Sequence, residues 1–68
     1  PAIEAWHADH GTYRGMTITK LRTKYDYGIP TELKIARAWK HAYCIESTVA
    51  GETYSFRGPR GPLALSGC

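Results

Sequence analysis

Tyr43-Cys44-Ile45-Glu46-Ser47-Thr48-Val49 is the stretch on which the fold turns. Tyr43, Ile45, Ser47 and Val49 fall on one side of an alternating pattern, so the run reads as a half-buried strand. It carries one of two cysteines; the other, Cys68, is the last residue of the sequence. Two cysteines leave a single intramolecular pairing, which predicts a disulfide that closes a C-terminal loop onto the middle of the chain. In the chain-entropy account such a closure contributes about 3–4 kcal/mol. For a chain of 68 residues, near the size at which a core alone suffices, that is a large share of the net stability.

On either side of this strand the pattern has the same period. Leu33, Ile35, Arg37 and Trp39 alternate with Lys34, Ala36, Ala38 and Lys40, which predicts a strand before it. Val49-Ala50-Gly51-Glu52-Thr53 is a compact turn, and Thr53-Tyr54-Ser55-Phe56-Arg57 a third strand, joined most economically as an antiparallel meander. The Gly- and Pro-rich remainder cannot pack by itself. Towards the N-terminus, Pro1 to about His10 favours helix, with Ile3, Trp6 and His10 on one face and Gly11 as its stop. So short a helix is marginal alone and reads as the end of a longer one. Thr17 is placed to cap a second short helix in which Ile18, Leu21 and Tyr25 face inward while Lys20, Arg22 and Lys24 point away. The expectation is one α+β domain over residues 1–68: two helices on a three-stranded antiparallel meander with a disulfide-closed C-terminal loop.

Persistent disulfides imply a secreted, periplasmic or cell-surface location, whereas two free thiols would fit the cytosol. The start at Pro1 without methionine predicts a processed product or a piece of a longer protein, with any membrane anchor upstream. The absence of asparagine removes any N-linked glycosylation sequon.

Catalysis is not expected, because no nucleophile, base and orienting partner form a recognisable arrangement, and Ser47, Ser55 and Ser66 lack nucleophile-elbow glycines. His7, His10 and His41 keep a mixed cysteine–histidine site formally open, and His7 and His10 with Asp9 beside them could hold a metal on one helix face, yet a polar helix surface explains that face better. Gly58-Pro59-Arg60-Gly61-Pro62 lacks the Lys-Ser/Thr of a phosphate loop, and its prolines lack backbone donors. No cofactor is implied. The formal charge of +3 is modest; Lys20, Arg22, Lys24, Arg57 and Arg60 are the candidate contacts to an anionic ligand or DNA. Trp6, Trp39 and the tyrosines serve mainly as core.

The order of these features resembles the soluble head of a bacterial type IV pilin or pilin-like protein. Ala2-Ile3-Glu4-Ala5-Trp6-His7-Ala8-Asp9-His10-Gly11-Thr12-Tyr13 is similar to the exit from that family's long N-terminal helix. Tyr25-Asp26-Tyr27-Gly28-Ile29 looks like the segment before its sheet, and Tyr43-Cys44 through Gly67-Cys68 like its disulfide-bounded C-terminal region. The family's hydrophobic N-terminal helix and prepilin cleavage site are not in this sequence. The resemblance implies an extracellular structural subunit, made as an inner-membrane precursor, that polymerises through that helix with other pilin subunits into a homo- or hetero-filament. Adhesion, motility or DNA uptake would be its service, with surfaces or DNA as further partners and the membrane met only through the missing helix. Ile3, Trp6 and Tyr13 would then pack helix against sheet. The alternative is a small secreted binding module, or a DNA-receptor minor pilin, using basic and aromatic surface residues.

Overall fold

Helix α1 spans Ala2–His10 in the computed structural model, which describes residues 1–68. It stops at Gly11, whose φ of 70° is left-handed and whose N–H reaches the His7 carbonyl, a helix end that glycine adopts without steric cost. The following loop returns Tyr13 to the helix, where its hydroxyl donates to both Glu4 carboxylate oxygens at 3.1 and 3.2 Å. Helix α2 (Ile18–Lys24) is capped by Thr17, whose side-chain oxygen accepts from the Lys20 N–H at 3.1 Å. Leu21, on its inward face, is completely buried.

Four strands follow: β1 (Lys34–Ala38), β2 (Tyr43–Val49), β3 (Glu52–Gly58) and β4 (Leu63–Ala64), antiparallel in chain order. The fold is therefore the expected α+β arrangement with one strand more than the predicted meander. The extra strand arises because the Arg57 N–H donates to the Pro62 carbonyl at 3.2 Å, turning the chain so that Leu63 opposes Phe56 and Ala64 opposes Ser55. Between β2 and β3 the two-residue turn places Ala50 and Gly51 at φ of 52° and 81°, the paired left-handed geometry that suits a twisted hairpin.

In β1 the strict alternation breaks. Lys34 pairs with Glu46 and Ile35 with Ile45, but the next pairs are Arg37 with Cys44 and Ala38 with Tyr43. Ala36 is thus an extra residue, a bulge, and beyond it every side chain changes face. Arg37, expected on the side of Ile35, instead joins Lys34 and is exposed; Ala38 takes the inward place. The sequence period alone would bury an arginine among apolar groups, a cost the bulge removes.

The helices cover one face of the sheet. Ala2, Trp6, Tyr13, Met16, Leu21 and Tyr43 form the core, with Ile3, Ile35, Ala38, Ile45 and Phe56 packed against it. Tyr43 is central: its ring centroid lies 4.9 Å from Tyr13 and 6.4 Å from Phe56. Directly across from it in β3 stands Gly58, where an added Cβ would lie 2.0 Å from the Tyr43 ring. No other residue leaves room for that ring.

Candidate functional site

The opposite face is covered by the chain's own tail. Cys44 and Cys68 form the disulfide, with 6.1 Å between their Cα atoms. The Cys68 N–H donates to Glu46 Oε2 at 3.0 Å, and Glu46 also meets Lys34 at 3.8 Å. Gly67 lies against Glu46 and Thr53, where an added Cβ would come within 3.0 Å of the Glu46 carboxylate. Beneath this strap Ser55 is buried although its strand pattern points it away from the helices. The Lys34–Glu46 pair is long, with the lysine exposed, and contributes little, so the bridge is the main fastening.

The five sequence-predicted basic residues do not form one surface. Lys20 donates from Nζ to the Gly15 carbonyl at 3.1 Å and lies 5.8 Å from the Trp6 ring. Arg22, expected to point away, is half-buried: its guanidinium stacks 4.4 Å over Tyr27 and donates to the Ile29 carbonyl. A planar guanidinium on an aliphatic stem gains from lying along the protein, which is why the helical wheel misplaced it. Lys24 is exposed. Arg57 projects from the tail-covered face of β3, 5.4 Å from the Trp39 ring, and Arg60 sits in the β3–β4 turn. The helix charges and Arg57 thus belong to opposite faces of the sheet.

Two residues that sequence reasoning passed over belong with Arg57 and Arg60. The bulge brings Arg37 onto the face that carries Arg57, with β2 between them, and Lys40 stands in the β1–β2 turn at the same end of the sheet. The available signal was Arg37 itself, a charge at a position the period assigns to the apolar side.

Of the residues expected to join helix to sheet, Trp6 and Tyr13 are buried and Ile3 is half-buried. The exposed His10 stacks its ring on Trp6 at 3.8 Å and its Nδ1 lies 2.9 Å from the Trp6 carbonyl oxygen. Burial, then the hydrogen bond to Glu4 and that carboxylate's charge, raise the Tyr13 phenol above the usual tyrosine value; its ring is enclosed while its hydroxyl reaches the boundary at Glu4. Burial, then the Glu4 charge, does the same for Tyr43. Tyr25 is raised by its hydrogen bond to Asp9, at 2.5 Å, and then by burial. These phenols stay protonated at neutral pH, and those of Tyr13 and Tyr25 act as donors that tie the following segments to Glu4 and Asp9 of α1.

A polar cleft of about 640 Å³ lies between α2 and the start of β1, and an apolar groove of about 380 Å³ opens beside it, lined by Ile3, Ile18, Leu21, Ile29, Leu33 and Ile45 among others. No group of three or more His, Cys, Asp or Glu side chains is placed to hold a metal ion. No helix is long and apolar enough to cross a membrane. The fold defines a class: a small α+β domain whose sheet is packed by helices on one face and strapped by a disulfide-bound tail on the other. No protein-family model, curated protein or solved structure matches the chain.

Proposed function

We propose that this domain is the outer head of a type IV pilin-like subunit, built into an extracellular filament through a hydrophobic helix that precedes α1. The observation that carries the reading is the order of parts: a helix end packed on an antiparallel meander, whose terminal segment is held across the sheet by Cys44–Cys68. A helical filament needs heterologous faces that repeat without closing, together with a head that survives outside the cell, and neither demand calls for an active site. The apolar groove beside Pro1, Ala2 and Ile3 supports the same reading, since it offers surface next to the start of α1 for helical packing between subunits.

The test is the gene. A short basic leader, a prepilin-type cleavage site and about 20 apolar residues running into α1 are expected, that being the length of a membrane-spanning helix. Antibody raised against residues 1–68 should then decorate filaments sheared from cells. An ordinary secretory leader, or label confined to soluble secreted material, would overturn the reading.

A further inference from the structure

The sheet gathers charge at one end. The β1–β2 turn and the β3–β4 turn lie side by side there because Tyr43, which follows the first, pairs with Gly58, which begins the second. The loop after α1 joins them through the Tyr13 N–H, which donates to the Trp39 carbonyl at 3.1 Å. Residues 12–16, 37–42 and 57–62 therefore meet, and they hold Arg14, Arg37, Lys40, Arg57 and Arg60 but none of the acids Glu4, Asp9, Asp26, Glu32, Glu46 and Glu52. All five cations are exposed. Arg37 and Arg57 are the register partners of Cys44 from either side, so two strand spacings, about 10 Å, separate them on one face. Glu46, the one acidic side chain that the register places on that face, is occupied by Lys34 and the Cys68 N–H.

We propose that this end of the sheet docks an extended acidic polysaccharide, a polymer of uronic acid units. The inference goes beyond the filament reading and stands without it. None of the five cations lines a cavity, which suits a polymer lying across the surface rather than an enclosed small anion. Arginines match carboxylates in bidentate fashion, and Arg37 and Arg57, two strands apart, set such donors on either side of Cys44. Exposed Pro59 and Pro62, in the β3–β4 turn with Arg60, offer apolar surface to the C–H faces of sugar rings. A single nucleic-acid strand fits less well, because it needs free aromatic platforms and the half-buried Trp39 is already covered by Arg57. Duplex DNA draws its affinity from many phosphates at once, about six to ten in strong binders, more than this patch can neutralise.

The measurement is calorimetric titration of the disulfide-intact domain with oligogalacturonate, with a neutral galactan oligomer and a short DNA duplex as comparators. Oligogalacturonate should bind, more weakly as salt rises from about 50 to 200 mM, and the neutral oligomer should not. Arg37→Ala with Arg60→Ala should weaken binding about tenfold, the scale of two exposed charge contacts. Lys20→Ala with Lys24→Ala should leave it unchanged. Arg60→Glu, in an exposed turn, serves as a second variant that keeps the fold and should weaken binding further than Arg60→Ala. No binding at low salt, tighter binding of the duplex than of the acidic oligomer, or equal loss in the α2 variant would each overturn the proposal.

Discussion

Tyr43 and Cys44 are chain neighbours buried on opposite faces of one strand, by different means. Around Tyr43 lie two helices, Tyr13 and Phe56, so its enclosure is shared among many apolar contacts. Around Cys44 lies a short tail whose β4 segment pairs with only two residues of β3 and whose remaining hold is one covalent bond and one hydrogen bond to Glu46. Distributed packing loses a little with each change, whereas a strap fails at a single point. The helix face should therefore carry most of the stability, and the tail face should be separable from it.

The largest expected effect is on the packed side. Leu21→Ala removes a fully buried side chain between helix and sheet and should cost about 3–4 kcal/mol, read as a large drop in the denaturation midpoint. A loss below about 1 kcal/mol would mean that the helices are not the main support. Next, Cys68→Ser should cost about 3 kcal/mol, the entropy term for a bridge spanning 24 residues. It should also open residues 65–68 to proteolysis while leaving the near-ultraviolet signal of Tyr13, Tyr43 and Trp6 intact. If that signal collapses together with the tail, the two faces are one cooperative unit and the contrast fails.

Gly58→Ala comes third, at about 2 kcal/mol, because the new methyl must displace the Tyr43 ring or the strand that carries Gly58. Tyr43→Leu in the same background should restore part of the loss; additive losses instead would show that the ring is not what Gly58 accommodates. The smallest effect is with pH. Tyr13 and Tyr43 hold their phenolic protons more tightly when folded than the unfolded value of about 10, so their contribution is complete below about pH 10 and is lost as pH rises through the higher folded values. Melting followed from pH 8 upward should decline above about 10, less steeply in Tyr13→Phe; a flat profile well past that pH would contradict the raised folded values of these phenols.

Much of this architecture was legible beforehand. Gly11 stops α1, Thr17 caps α2, and the alternation in residues 43–49 marks β2, because each depends on neighbours in the chain. The basic surface was read less well. Lys20 and Arg22 looked free on a helical wheel but bend back to Gly15, Ile29 and nearby rings, contacts that a wheel does not contain. Arg37 was assigned to the wrong face because a bulge is a property of two strands together.

By itself the sequence determined the kinds of element, their ends and the single possible pairing of its cysteines, since caps, periods and counts are local or arithmetical matters. Tertiary structure decided which face the β1 residues after Ala36 occupy, why position 58 must be glycine, and that Arg37, Lys40, Arg57 and Arg60 share one end of the sheet. Those outcomes depend on strand register and on rings meeting across strands, distances that close only when residues far apart in the chain are brought together.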